Sequence, residues 1–505
     1  MQHTNKKIAI NSLYLYLNSI FQLIIGLYTS RILLQVLGVE DFGIYGVVGG
    51  IVALLGFINM AMSSASSRYI IYELAHSNIA RQRTVFSTIF MVHCFIALIT
   101  FILAETIGLW YVAEKLVIPV GREMASHVVY QISILMAVVN ILQVPYTASI
   151  TAHEKMGFLS LWNSLNILLK LLIILLVTIA SYDKLIFYSI LMLAVTLFIG
   201  IGFVVYCKRL FKECSLARNK DILLLREILS FAGFNGFTSF STALRTQGTN
   251  LLLNRFFGVI MNSASSISSM TSGYIISFSA NIITAFRPQI VKSYATKDYE
   301  SMLHYMNECT KYCLGMFSLL AIPIFLEMDY VLKFWLHSVP EHTSTFCRFS
   351  LVGSIFGLMN MVVLIGIQAT SYVKRNSLYI SIVSILSIAI LALCFFAKMK
   401  PYFAFLIYAI TEFCIYCTSL YNIKTLIRGF DIQLMIKKAT RVVGLIIISA
   451  MTTRLISFFL DESFVRFILT VILYTLIGGV LFIFLMVSSE ARSNIKAKIQ
   501  ALIRR

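Results

Sequence analysis

The sequence predicts an all-α polytopic membrane protein, with about fourteen transmembrane helices arranged as two six-helix lobes plus two further C-terminal helices. Three observations predict it. Hydrophobic residues fill 59% of the 505 positions and charged residues only 12%, about half the roughly 25% of soluble domains. Only six prolines interrupt long apolar runs. Basic residues alternate from loop to loop in the manner that orients membrane proteins.

A membrane helix needs about 20 mostly apolar residues to cross roughly 30 Å of hydrocarbon. That ruler gives spans near 9–30, 42–62, 85–109, 125–148, 157–180, 185–206, 228–252, 258–284, 305–326, 347–369, 376–397, 401–421, 440–460 and 464–488. The count falls to twelve if the 157–206 or 440–488 pairs are read otherwise. The first span follows Lys6 and Lys7, but it is too long for a cleaved signal, carries Asn11, Asn18 and Gln22, and lacks a small-residue cleavage site. It is expected to be retained.

With the N-terminus inside, inner segments hold 27 of the 41 Lys and Arg residues and outer segments hold 10. Both termini are then cytoplasmic. The +19 net charge lies in short loops, where anionic lipid headgroups are its natural partner; no nucleic-acid partner is expected. The longest inner connection, 207–227, divides an N-terminal lobe (1–206) from a C-terminal lobe (228–421). Two appended helices (440–488) and a basic cytoplasmic tail (489–505) follow. Asn11 precedes Arg31 by 20 residues and Asn235 precedes Arg255 by 20, an offset of 224 in both cases. This suggests a parallel repeat of six spans, a common transporter design.

Polar groups are costly in lipid and normally face a protein interior or a water-filled cavity. In the first span Asn11, Asn18, Gln22 and Thr29 share one helical face. In 228–252 the polar positions are Asn235, Ser239, Thr242, Arg245 or Thr246, and Thr249 or Asn250. A solvated cavity is the preferred reading of these two stripes. The serine-rich 258–284 span is read more simply as close helix packing.

The charges read as buried or half-buried are few: Glu105, Lys170, Arg245, Glu308, Lys311, Glu412 and Arg454. Arg245 cannot shed its charge, so it needs an anion, from a carboxylate or from substrate. Lys170 lies in an apolar surround, where it could snorkel, pair with a carboxylate or take part in ion coupling. Glu412 and Glu308 are the candidate proton- or Na⁺-responsive carboxylates.

Nothing resembles a catalytic constellation, so no enzyme activity, cofactor or metal is expected. There is no P-loop, no D-x-D and no H-E-x-x-H. Cys414 and Cys417 form a lone C-x-x-C inside an apolar run, which reads as helix packing rather than metal or redox chemistry. His337 and His342 flank a short outer loop and read as solvated.

The stretches TSRILLQVLGVEDFGIYGVVGGI (29–51), SSASSRYIIYELA (63–75), VPYTASITAHEKM (144–156) and FRPQIVKSYA (286–295) resemble bacterial polysaccharide (O-antigen) flippases. These belong to the multidrug/oligosaccharidyl-lipid/polysaccharide exporter superfamily. The resemblance implies a bacterial inner-membrane protein with two helical lobes around a central cationic cavity, working by alternating access. It also implies an undecaprenyl-diphosphate-linked oligosaccharide as cargo and the polysaccharide polymerase machinery as a candidate partner. A cavity for such a cargo needs Arg for the diphosphate, here Arg31, Arg245 and Arg255. It needs polar side chains for the sugar, here Asn11, Asn18, Gln22, Asn235 and Asn250. A cation-coupled multidrug exporter of the same superfamily is the alternative, though acids should then dominate the cavity. A membrane polymerase or ligase would need a larger outer loop than 327–346.

Overall fold

The computed structural model describes residues 2–55, 62, 66, 69–74, 78–153, 155–215, 222–336, 338–370, 372–427 and 430–486, with side chains from residue 24 onward apart from 55, 156, 222–223, 226–236 and 483–486. The described part is helical, with no strand among the described residues. Only helices and closed barrels satisfy every backbone group in lipid, and these sequences carry long apolar runs rather than alternation. Ten of the described helices are long and apolar enough to cross a membrane.

The main described helices, in chain order, are α1 (Gln2–Leu55), α2 (Ile79–Leu103), α3 (Glu123–Ala152), α4 (Met156–Thr178), α5 (Lys184–Leu210), α6 (Ile222–Phe257) and α7 (Val259–Ala295). There follow α8 (Tyr299–Leu326), the short α9 (Met328–Leu336), α10 (Thr343–Ala369), α11 (Val373–Phe396), α12 (Phe403–Leu426), α13 (Ile432–Ser457) and α14 (Phe464–Met486). Helices lie over the predicted spans, but several run beyond them. The span expected at 258–284 continues to Ala295, and the one at 440–460 begins at Ile432. Hydropathy marks only the apolar middle of a helix; its end is set by capping. Asp431 accepts from the Leu434 amide, Asp298 from Ser301, Asn78 from Arg81, and Asp183 from Leu185 and Ile186.

The first predicted span and the described part of the second, to Leu55, are one helical run, α1, broken at a single residue. Gly38 has φ 78 and ψ 172, a conformation that costs a residue with a Cβ and that glycine adopts freely. Between α6 and α7 the same device recurs at Gly258, with φ 80. After α2 the chain makes a π-helical turn, Ala104–Gly108. The Tyr130 hydroxyl donates to the Ala104 carbonyl at 2.7 Å, and a Cβ on Gly108 would fall 2.0 Å from the Tyr130 hydroxyl oxygen. A buried tyrosine thus satisfies the irregular turn, and only glycine leaves it room.

The chain separates into two compact units. The first comprises Met1–Ile267, Leu336–Thr343 and Ser377–Ile407; the second comprises Ser268–Trp335, Ser344–Asn376 and Tyr408–Arg505. Within each unit, connections that the charge pattern assigns to one side meet one another. In the first, Arg122 reaches Asp41 and Asp183, and Asn254 clasps both backbone groups of Val117. At its other end Arg83 donates to the Lys212 carbonyl, and His153 bonds Glu213 while stacking on Phe211. In the second unit Arg348 pairs with Asp329, while Arg287 donates to Gln368.

Candidate functional site

The polar residues singled out in the sequence fall partly in the first unit and partly in the second. Asn11, Asn18, Gln22 and Asn235 lie outside the residues whose side chains are described. Arg31 is half-buried on the first part of α1, seven residues before the Gly38 break. Arg245 is half-buried in α6, and Arg255 is exposed in the last turn of that helix, near Tyr111.

The threonine stripe around Arg245 is largely self-satisfied. Thr242 donates to Thr238, Thr246 to Thr242 and Thr249 to Arg245, each to the carbonyl four residues earlier. Their hydroxyl protons are therefore spent within α6, and only oxygen lone pairs remain to be offered outward. Asn250 joins helices. Its amide nitrogen donates to Gln247, its side-chain oxygen accepts from Ser265 at 2.7 Å, and its backbone carbonyl accepts from Asn262 at 2.7 Å. This residue pins the start of α7 against α6.

Beside that junction, the second part of α1 presents a glycine face. A Cβ on Gly43 would lie 2.2 Å from the Val259 carbonyl oxygen, one on Gly46 2.8 Å from the Ser266 hydroxyl, and one on Gly50 2.6 Å from Gln247 Oε1. Spacings of 3 and 4 keep all three on one side of the helix. The backbones thus come close enough for polar contacts between helices, as small residues permit in membranes. The Ser263 hydroxyl accordingly reaches the Val39 carbonyl.

These contacts correct the repeat register. Val39 meets Ser263, Gly43 meets Val259, and Gly46 meets Ser266. Exchanging each residue for the one 220 positions away turns the first contact into the second and maps the third onto itself. Gly38 and Gly258 are also 220 apart. The local repeat is therefore offset by 220, not 224, and Arg31 corresponds to Leu251 rather than to Arg255. Two equal Asn-to-Arg spacings suggested 224, whereas the left-handed glycines and the helix crossing carry the geometric equivalence.

The candidate coupling residues occupy different surroundings. Lys170 is half-buried in α4. In the second unit, Glu308 is ion-paired with Lys311 one turn along α8, so each offsets the other's charge. Glu412 is buried on α12, and a Cβ on Gly357 of α10 would lie 3.3 Å from its Oε2.

Several ionic groups were not singled out beforehand. Glu327 is 3% exposed, and Arg466 grips it through two nitrogens at 3.0 and 2.7 Å while Arg454 adds a third bond. This carboxylate, at the end of α8, ties α13 and α14 to that helix. Arg122 joins Asp41 and Asp183 from two other connections. Burial pushes the Asp183 carboxyl up, but Arg122 and the amides of Ile186 and Leu185 outweigh it and hold it below its ordinary value. Asp183, an acid just ahead of an apolar run, carries the one local signal that could have marked it as a helix cap; partners 61 or more residues away leave no local trace.

No family description and no curated protein matches the chain at the level of sequence. Solved structures do match its fold. The lipid II flippase MurJ, in an inward closed conformation, is 15% identical with a TM-score of 0.69, covering 93% of this chain and 99% of that one. An inward-facing multidrug resistance MATE transporter of the MOP superfamily is 13% identical with a TM-score of 0.60, covering 84% and 100%. A MOP superfamily transporter from Pyrococcus furiosus, described as having a binding pocket of reverse polarity, is 12% identical with a TM-score of 0.57, covering 83% and 95%. The chain is a multi-pass membrane protein with the fold shared by these MOP superfamily flippases and transporters.

Proposed function

We propose that the chain is a flippase carrying an undecaprenyl-diphosphate-linked oligosaccharide repeat unit from the cytoplasmic to the outer leaflet by alternating access. The product is a surface polysaccharide such as O-antigen or capsule, and both termini lie on the cytoplasmic side of a bacterial inner membrane. The observation that carries this reading is Arg245, a permanent cation set half-buried in the threonine face of α6. The fold shared with a lipid II flippase along nearly the whole of both chains supports it.

A diphosphate-linked glycan cannot cross hydrocarbon unaided, because its charges and hydroxyls would lose their water. Guanidinium groups at Arg31, Arg245 and Arg255 would hold the diphosphate through paired hydrogen bonds. Asn11, Asn18, Gln22 and Asn235 would face the sugar, while Asn250 fixes the junction of α6 and α7 beside them and the lipid tail stays in the bilayer. In a deletion strain, lipid-linked repeat units should accumulate facing the cytoplasm, and the intact chain should relieve this. Arg245→Ala should insert normally and fail to restore surface polysaccharide, with Arg245→Lys recovering only part. A normally expressed Arg245→Ala protein that transports fully would remove Arg245 from the substrate site.

The second reading, a cation-coupled multidrug exporter, is favoured by the MATE likeness and by the buried carboxylate of Glu412. Drug resistance conferred by the chain, without relief of lipid-linked intermediates, would establish it instead.

A further inference from the structure

Glu105 stands on a face of the first unit that is otherwise apolar and uncovered. It lies half-buried in the π-helical turn Ala104–Gly108, and Gln131 of α3 donates to its Oε2 at 3.2 Å. Gln131 is exposed, as are Phe101, Ile102 and Ile107 on one side of the pair and Met124 and Leu135 on the other. Met124, Gln131 and Leu135 recur at spacings of 7 and 4, so they share one side of α3. Large apolar side chains left uncovered on a membrane helix belong against hydrocarbon or another helix.

The pair is held on this face from behind. Its neighbours in sequence, Ala104 and Tyr130, are both buried and are joined by the Tyr130 hydroxyl. Depth follows from the helix ends. Gln131 lies eight residues into α3, and Glu105 nine residues before the end of Leu109–Glu114, the short helix that continues α2. At 1.5 Å per residue, both sit about 12–14 Å from those ends. Lys115 lies 5.5 Å over the Trp110 ring, and Trp is the residue that marks a membrane interface. Trp110 is five residues beyond Glu105, so the carboxylate lies about 7 Å deeper than this belt, within hydrocarbon.

Charges at such depth are rare, and they face the protein interior or pair with an opposite charge. Glu105 is bonded to a neutral amide, and no cation joins it among the described residues. Polar side chains join helices in membranes, and an uncompensated carboxylate selects a partner of opposite sign. We propose that the Glu105–Gln131 face docks a transmembrane helix of another protein that carries an Arg or Lys at the same depth. Glu105 supplies the counter-charge, and the exposed Gln131 amide offers a hydrogen bond beside it.

A second copy of this chain does not meet the need. A two-fold pair about the membrane normal brings equivalent residues together at equal depth, so Glu105 would face another Glu105 or Gln131. The permanent cation of this face, Lys115, is ten residues further on, about 15 Å along the helix. A lipid ammonium stays at headgroup level, beside Trp110 rather than Glu105. The proposal is independent of the flippase reading and is tested without cargo.

The donor-labelled full chain in phosphatidylcholine vesicles is titrated with acceptor-labelled leucine–alanine transmembrane peptides, and energy transfer is read. One peptide carries Arg eight residues from its end, one carries Glu there, and one carries neither. The Arg peptide should associate about tenfold more tightly than the plain one, as a single charge-assisted bond would give. Glu105→Gln should abolish that preference, with thermal unfolding unchanged, while Gln131→Leu should weaken it less. Equal association of the Arg and plain peptides with the natural chain overturns the proposal, and so does an undiminished preference in Glu105→Gln. Energy transfer between two labelled copies of the chain that is lost in Glu105→Gln would assign the face to a second copy instead. Loss of Arg-peptide binding when phosphatidylethanolamine is added would assign it to lipid; either result overturns the helix partner.

Discussion

Arg122 closes a two-pronged grip on Asp41, with Nε to Oδ1 at 2.8 Å and Nη2 to Oδ2 at 2.5 Å, while its remaining nitrogen reaches Asp183 at 2.5 Å. One guanidinium thus fastens three points of the first unit: the turn after Gly38, the start of α3 and the cap of α5. Arg122→Ala would leave two carboxylates facing each other, at a cost of about 1–3 kcal/mol. Arg122→Lys should restore only part, since ammonium cannot bond both acids in this geometry. Thermal unfolding of the detergent-purified chain would show the difference, and equal melting temperatures for all three proteins would remove the grip from the stability of this unit.

The same grip sets a pH dependence. The Asp183 carboxyl is held below its ordinary value by Arg122 and two amides acting against burial. A depressed carboxylate contributes stability that is complete above its unfolded pKa of about 3.9 and is lost as pH falls through the folded value. Stability should therefore hold at neutral pH and begin to fall below about pH 4–5. Asp183→Asn should flatten that part of the profile, and an identical acid limb in both proteins would count against it.

The glycine face of α1 provides an internal control. Gly43→Ala places a Cβ 2.2 Å from a backbone carbonyl, which cannot swing aside. It should cost about 1–3 kcal/mol and loosen the crossing with α7. Gly50→Ala meets only the tip of Gln247 and should cost less, while Gly49→Ala meets nothing within 4 Å and should be close to neutral. Equal effects at all three positions would show that helix propensity, not close approach, decides.

Glu327 should be the most sensitive acid in the second unit. Glu327→Ala leaves Arg466 buried without its carboxylate, which typically costs about 3–5 kcal/mol. Arg454→Ala removes a single longer bond from a more exposed arginine and should cost well under half as much. Protease protection of α13 and α14 would report both, and a Glu327→Ala protein with unchanged protection would refute the anchor.

Tyr130→Phe should cost about 1 kcal/mol, because the Ala104 carbonyl, which also accepts the Leu109 amide across the π-helical turn, loses its second donor in a buried site. A cavity effect is excluded by the nearly equal size of the two side chains. Hydrogen exchange in 104–108 should rise while that of α4 does not change.

What the sequence determined by itself is whatever depends on local composition. An apolar run of membrane length must be helical, since no other open structure satisfies its backbone in lipid. The polar face around Arg245 was also readable, because helical periodicity acts within a few residues. Only the tertiary structure decided which polar residues are spent and on what. Asn250 looked like cavity lining but is engaged by Gln247, Ser265 and Asn262. Glu308 looked like an open carboxylate but is paired with Lys311. Glu327, Arg466 and Arg122 looked like ordinary loop charges, and their partners lie 61 to 139 residues away. The repeat register belongs to the same class. Equal spacings of Asn and Arg suggested 224, but equivalence is fixed where two backbones cross at Gly43 and Ser263, and close approach is a property of two helices together that neither sequence carries alone.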